Sequence, residues 1–313
     1  MDNQAVATAS PFHRGEQDIQ ARLGVRDKAE RIGRIMIRPY MPEQHRDFYE
    51  QLPFIVAGAV DADGWPWATL IPGDDGFISA PDDRLLRING KPSADDPVHK
   101  ALASGQPIGL LGIELAARRR NRVNGRVATV DAAGFTVDVT QSFGNCPQYI
   151  HPRIVDHVRP VGEISESQAI VIFDQINADL AAHIETADTF FVTSATIGDN
   201  LTKGEGVDVS HRGGQSGFVS VDGNTLTIPD YAGNRHYNTL GNFLANPRAG
   251  LVFPDFATGD LVMLTGTVQI LWDDDPRISD LSGAERAWQF TLNHGVHIRD
   301  ALPLRWHSVD AVT

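Results

Sequence analysis

The chain repeats itself. Displaced by 141 residues, positions 69–130 fall on 210–271 without a gap. Gly73 lands on Gly214, Gly76 on Gly217, Gly109 on Gly250 and Gly125 on Gly266. Phe77 meets Phe218, Ser79 meets Ser220, Leu85 meets Leu226, Leu110 meets Leu251, Ala116 meets Ala257 and Val127 meets Val268. The coinciding glycines weigh most, because glycine marks turns and backbone that other residues resist. Upstream, FIVAGAV from Phe54 corresponds to FFVTSAT from Phe190 once a few residues are inserted in the second copy. A chain of 313 residues built this way is expected to fold as two similar units.

Each unit reads as antiparallel β. In the first, FIVAGAV, WPWATLI, GFISA, RLLRI, IGLLGIEL, RVATV and FTVDVTQSF are separated by short Gly/Asp turns, the pattern of a small barrel. PVHKALASG is a short helix ended by Gly105. Residues 1–12 are small and polar and are expected to fray. Residues 16–31 and 42–49 read as helices, so 1–50 is expected to be a helical extension that covers a barrel or mediates dimer contacts. Ile170, Phe173, Ile176, Leu180 and Ile184 recur at helical spacing, which predicts one linking helix within 161–186. The barrels then occupy 51–160 and 187–313. The fold class is mostly β with helices, a tandem pair of barrels.

Charge narrows the partners. The formal net charge is −13, which disfavours nucleic acid and an anionic membrane surface, both of which need a basic face. No apolar run is long enough to span a bilayer and no secretory leader is visible. The single cysteine, Cys146, rules out an intramolecular disulfide and suits a reducing cytoplasm.

The densest chemistry lies in residues 207–253. A strand ends in Ser210, His211, Arg212 and Gly213, and a hairpin turns at Asp222-Gly223-Asn224. Then come Asp230, Gly233, Asn234, Arg235 and Asn238, the last opening a helix. Unpaired N–H groups at a helix start, with an arginine fork beside them, suit a phosphate. The competing reading makes Arg235 a solvated loop charge and Asn238 a plain cap; the residues alone leave both open.

This stretch resembles the FMN-binding split barrels of the pyridoxamine 5'-phosphate oxidase-like superfamily. The resemblance is carried by Asp208-Val209-Ser210-His211-Arg212-Gly213, Ile228-Pro229-Asp230 with Gly233-Asn234-Arg235, and Asn238, Leu240, Asn242, Asn246-Pro247-Arg248, Gly250-Leu251 and Phe253. Ala301-Leu302-Pro303-Leu304-Arg305-Trp306 is similar to the family's ending. The resemblance implies FMN-binding split barrels and a flavoprotein oxidoreductase moving hydride or electrons through non-covalent FMN. Arg235 and Asn238, supported by Ser210, would hold the phosphate. Arg212, His211, Asp230 and Asn234 would lie near it or the ring, and Arg305 and Trp306 would close the pocket. It equally admits a non-catalytic flavin carrier, or a barrel holding a deazaflavin or haem. The R-x-V-L-L-K and S-R-K runs of the true oxidase are absent, so that reaction is not expected. NAD(P)H or a reductase would be the electron source, and a homodimer is the family habit.

In the first copy His211 and Arg212 face Leu70 and Ile71, while Asn234, Arg235 and Asn238 face Ser93, Ala94 and Pro97. One flavin per chain is expected. Residues 141–150 also resemble a run in relatives, so Gln141 and Asn145 are candidates for the ring edge. Cys146 is either a redox thiol or an inert small residue. Arg118, Arg119, Arg120 and Arg122 read as a turn, either a solvated hairpin or one salt-bridged to the acidic remainder, or else a seat for an anionic substrate or a nicotinamide cofactor's phosphates. Trp65 and Trp67 read as core, with flavin stacking as the rarer alternative. His294 and His297 alone are a weak metal signal, and neither a Rossmann glycine fingerprint nor a P-loop occurs.

Overall fold

The computed structural model describes residues 9–163, 165–196 and 204–309. Helices α1 (Arg14–Arg22), α2 (Arg26–Met36) and α3 (Glu43–Glu50) come first. Strands β1 (Phe54–Val60), β2 (Pro66–Pro72), β3 (Ile78–Ser79) and β4 (Leu85–Ile88) follow, then α4 (Pro97–Ala101). After α4 come β5 (Pro107–Glu114), β6 (Arg119–Val130), β7 (Phe135–Gly144), β8 (Arg153–His157) and β9 (Ala169–Phe173). Helix α5 (Ala178–Thr186) leads to β10 (Thr189–Thr196), β11 (Gly206–Gly213), β12 (Ser220–Asp222) and β13 (Thr225–Asp230). The chain ends with α6 (Asn238–Ala245), β14 (Arg248–Pro254), β15 (Leu261–Leu271), β16 (Arg286–Arg299) and β17 (Leu304–Ser308).

The same sheet is built twice. The first runs β2-β1-β5-β6-β7-β4-β3 and the second β11-β10-β14-β15-β16-β13-β12, the same order in both. The repetition reaches single atoms. Gly73 and Gly214 each lack room for a Cβ because Phe77 and Phe218 lie against them. Phe77 N–H donates to the Asp74 carbonyl and Phe218 N–H to that of Gln215. The register of β6 on β7 slips between Asn124 and Gly125, and that of β15 on β16 between Thr265 and Gly266. These are bulges at matching places.

One expected pairing fails. Leu226 pairs Phe290, and Leu86, not Leu85, is the fully buried leucine that pairs Val137. A one-residue shift in the hairpin before β4 moves the inward side chain by one position, as the two-residue period of a strand requires.

The barrels pack through a pseudo-twofold face. A Cβ on Gly109 of β5 would lie 2.7 Å from the Val207 carbonyl oxygen, and one on Gly250 of β14 would lie 2.4 Å from that of Pro66. Glycine at both positions lets the backbone of one barrel rest on the other. Around them Val56, Phe191, Val209, Val252 and Met263 form a core that both barrels share.

The N-terminal helices span this joint. His13 and Glu16 form a capping box that starts α1. Gly24, at φ +67°, ends that turn of helix, so residues 16–31 form parts of two helices and not one. Helix α1 lies on α6, where a Cβ on Gly15 would be 2.2 Å from the Gly241 carbonyl oxygen. Phe48 and Tyr49 of α3 enter the shared core. Pro11 and Phe12 are buried, and the Phe12 ring stands 5.4 Å from that of His236, so this part of the chain is anchored. Residues 1–8, where fraying was also expected, lie outside the described residues.

The single helix expected within 161–186 is not formed. Asn177 caps α5 by accepting from Leu180 N–H at 2.9 Å. The preceding Ile170-Val171-Ile172 run becomes β9, paired antiparallel with β16. Consecutive β-branched side chains favour an extended backbone, and the free side of β16 supplies its hydrogen bonds.

Gly250→Val should force the barrel faces apart, lowering stability by about 1–3 kcal/mol or more. Chemical denaturation checks this; an unchanged midpoint would show that the glycine contact is not needed.

Candidate functional site

A cleft of about 910 Å³, its open mouth included, lies between β11, the start of α6, β6 and the segment after β7. Its second-barrel wall holds Ser210, His211, Arg212, Asp230, Asn234, Arg235 and Asn238; its first-barrel wall holds Arg120, Arg122, Asn145, Cys146 and Tyr149. Eight sequence candidates are thus brought together. Gln141 is not among them: it donates to the Pro11 carbonyl and lines a separate hollow beside Asn124. Arg305 and Trp306 are also elsewhere. They lie on β17, paired with β8; Arg305 binds Asp300, and Trp306 packs edge-on to Phe54 and Phe256. The family-like ending closes the first barrel's core, not the cleft.

Behind the cleft is a buried polar network. Arg122 donates to Asp208 and Asn238, each at 3.0 Å, and to Ser210. Asp208 also accepts from Asn124 at 2.7 Å and from Asn242 at 3.1 Å. Asn238 donates in turn to Glu16 of α1. Burial, and then the nearby Asp208, push the Glu16 carboxyl well above its ordinary range, so it tends toward the neutral acid. The Asn238 side chain is therefore spent inward and is not available to a phosphate.

Three of the five cations have a carboxylate partner among the described residues. Arg122 faces Asp208, and Arg212 faces Asp230 at 2.7 Å, with Arg286 on the other oxygen at 2.9 Å. Arg235 is exposed, at φ +61°, and has no ion pair among the described residues. Arg120 has no carboxylate either. Burial first, then Arg122 and Arg212, lowers its pKa to about 10. It remains a cation at neutral pH, and a poorly compensated one. Its Nη1 donates to His211 Nδ1 at 2.8 Å. His211 is driven well below its usual range by burial and by Arg120, so it is neutral.

Five N–H donors of cleft residues are buried without an acceptor among the described residues: Nε of Arg120, Arg122 and Arg212, His211 Nε2 and Asn145 Nδ2. The first-turn N–H groups of α6 lack a side-chain cap, because Tyr237 precedes the helix in the left-handed region. A wall this rich in donors and poor in acceptors fits an oxygen-rich anion, and the phosphate of a flavin mononucleotide meets that requirement.

The matching place in the first barrel is closed. Thr69 stands where Ser210 stands, and donates to Asp96 at 2.5 Å. Asp96 caps α4, accepting from Val98 N–H at 2.8 Å. The protein's own carboxylate thus occupies that helix start.

The sequence leaves Arg120 and Arg122 open between a solvated hairpin and an anion seat, because their run reads as a turn. The turn ends at Arg118, φ +51°, and β6 begins at Arg119. The signal was present in the repeat: Arg122 falls on Met263, which is fully buried. An arginine at a position that is core in the sister barrel needs a partner. Trp65 and Trp67 stay outside the cleft; Arg248 stacks on Trp65 and Trp67 is buried. His297 is paired with Asp260, and no cluster of three potential metal ligands occurs among the described residues. Nor is any helix among them long and apolar enough to cross a membrane.

The repeated seven-strand order, with the cleft at the joint, defines a pair of split barrels. Residues 176–299 match the family model described as pyridoxamine 5'-phosphate oxidase, which places the second barrel in the pyridoxamine 5'-phosphate oxidase-like split-barrel family. No curated protein matches the sequence. Among solved structures, a variant of HupZ from group A Streptococcus is similar at 9% identity and TM-score 0.31, over 39% of this chain and 98% of that one. A FAD-binding protein from Mesorhizobium loti is similar at 10% identity and TM-score 0.30, over 42% of this chain and 98% of that one. A Clostridium acetobutylicum protein of the pyridoxinephosphate oxidase family, related to general stress protein 26, is similar at 17% identity and TM-score 0.25, over 42% and 92%. TM-scores this low carry no functional weight.

Two outcomes follow from the buried charges. Arg122→Met strands Asp208 without its cation and should cost about 3–5 kcal/mol by chemical denaturation; a loss below 1 kcal/mol would show the pair to be dispensable. Burial raises the Asp96 pKa to about 6, above the unfolded value of about 4. The folded protein therefore holds this proton longer, and stability falls as pH rises from about 4 to about 6, then levels off. Asp96→Asn should remove that fall and stabilise the protein above pH 6 by at most about 3 kcal/mol. Parallel pH–stability curves for variant and parent would contradict it.

Proposed function

We propose that this chain is an FMN-binding flavoprotein, an oxidoreductase moving hydride or electrons through one non-covalently held FMN per chain. The observation that carries this reading is the uncapped start of α6 with Arg235, unpaired among the described residues, beside it, in a barrel that matches the split-barrel family. Bound FMN would supply the redox chemistry.

The residues divide that task. Arg235 and the free N–H groups at the start of α6 take the phosphate, with Asn234 fixing the loop through His236 N–H at 3.0 Å. Ser210 accepts from Arg122 and Thr239, which leaves its own proton for the ligand. Arg212, held in place by Asp230, provides a fixed positive charge beside the ring, where it favours a reduced, anionic flavin. The Tyr149 and Tyr231 rings stack 5.3 Å apart at the mouth and shield it from water.

The shared strand order, turn and bulge support an internal duplication in which only the second copy kept a live anion seat. Both walls of the cleft come from one chain, so a homodimer is not needed to complete it. NAD(P)H or a reductase would be the electron source, in the cytoplasm.

The test is the absorbance spectrum of the purified protein, with the released cofactor identified by mass. FMN near one per chain is expected, and Arg235→Ala should weaken its binding about ten-fold or more in fluorescence titration. Absence of FMN uptake would remove the flavin reading; two FMN per chain would contradict the closed first copy.

A further inference from the structure

One half-buried charge in the cleft has no counter-charge among the described residues. Arg122 is matched by Asp208, Arg212 and Arg286 share Asp230, and Arg235 is open to water. Arg120 alone is enclosed and unmatched. Its neighbour His211 does not relieve it. Arg120 Nη1 can only donate, so His211 Nδ1 accepts and the ring proton lies on Nε2. His211 is only 7% exposed, and its Nε2 has no acceptor. Asn145 follows the same pattern. Its backbone N–H donates to the Arg120 carbonyl at 3.1 Å, and its Oδ1 accepts from Asn234 at 3.2 Å. Its Nδ2 is left with nothing. Two donors with no acceptor among the described residues thus lie beside a guanidinium whose own Nε also has none.

This group lies apart from the start of α6. Successive side chains on β11 point to opposite faces. Ser210 is bonded to Thr239 of α6, whereas His211 turns the other way, its ring 5.7 Å from Phe191 in the shared core. An anion held by Arg235 and the α6 N–H groups would leave Arg120 unmatched.

We infer that Arg120, His211 and Asn145 form a second anion seat, which takes a single negative charge such as the carboxylate of the substrate. The class follows from the count: one unmatched guanidinium calls for a monoanion, and a carboxylate presents two acceptor oxygens to a cluster of N–H groups. Two of the three residues come from the first barrel, so the copy that lost its own anion seat still selects the substrate. Calling the ligand a substrate rests on the flavin reading; the anion seat itself does not.

The probe is benzoate, titrated at constant ionic strength into the FMN-loaded protein and followed by the flavin absorbance and by calorimetry. Benzoate should bind without displacing FMN. Arg120→Gln should weaken benzoate about ten-fold or more while holding FMN as the parent does, since a hydrogen bond to a charged group is worth about that factor. Arg235→Ala should do the reverse. If benzoate does not bind, or if Arg120→Gln releases FMN and leaves benzoate unchanged, the second seat is overturned. If the protein takes up no FMN, calorimetry of benzoate on the unloaded chain decides alone. Binding lost in Arg120→Gln then upholds the seat though the flavin reading falls; no binding overturns it.

Discussion

The ion pair between Arg122 and Asp208 is the contact on which the joint between the barrels depends. It links β6 of one barrel to β11 of the other, with both partners nearly inaccessible. A buried pair of this kind is tolerable only when its remaining polar atoms are satisfied. Here Asn124, Asn242, Asn238 and Ser210 satisfy all of them except Arg122 Nε, and Glu16 extends the chain of bonds to the N-terminal helix. The same bonds set the cleft wall. Asp208, Ser210 and Arg212 are alternate residues on one strand, so fixing the first two to Arg122 fixes where Arg212 emerges. Half of the family-like motif thus works on assembly, and its other half faces the ligand.

Two barrels in one chain are free to differ in ways that two identical subunits are not. Each helix start at the joint is a potential anion seat. In the second barrel Tyr237 leaves it uncapped; in the first, Asp96 fills it and is bonded to Thr69. The substitution is economical in structural terms, because a carboxylate on the chain meets the same N–H groups that an external anion would. Where the first barrel's helix start is filled, its β6 carries arginines at the positions that Leu261 and Met263 take in the second. The barrels thus hold complementary parts of one site.

Much of this was legible in the sequence, and what was not has identifiable causes. Repeated glycines report backbone geometry directly, so Gly73 with Gly214 and Gly109 with Gly250 mark the repeat, while their place at the joint is visible only in the structure. Ser210, His211, Arg212 and Arg235 were legible because they sit in one continuous stretch. Arg120 and Arg122 reach the same cleft from a strand far away in sequence, and no local pattern marks their cross-barrel contact; Asn145 was legible only through the resemblance of residues 141–150. Arg305 and Trp306 misled for the opposite reason: a motif shared with relatives was taken as binding, and it serves core packing against Phe54 and Phe256. The 165–186 segment misled because its apolar spacing suits a helix while its β-branched run suits a strand. The unpaired edge of β16 decided between them.

The electrostatics of the whole chain gives the cleft its selectivity. A net charge of −13 repels anions from most of the surface. Into that field the joint sets a small region where guanidinium groups outnumber the carboxylates that face them. Burial strengthens their pull by removing water. The acidic exterior and the basic cleft therefore act on an anion in opposite senses, the one repelling it and the other attracting it past the stacked rings of Tyr149 and Tyr231.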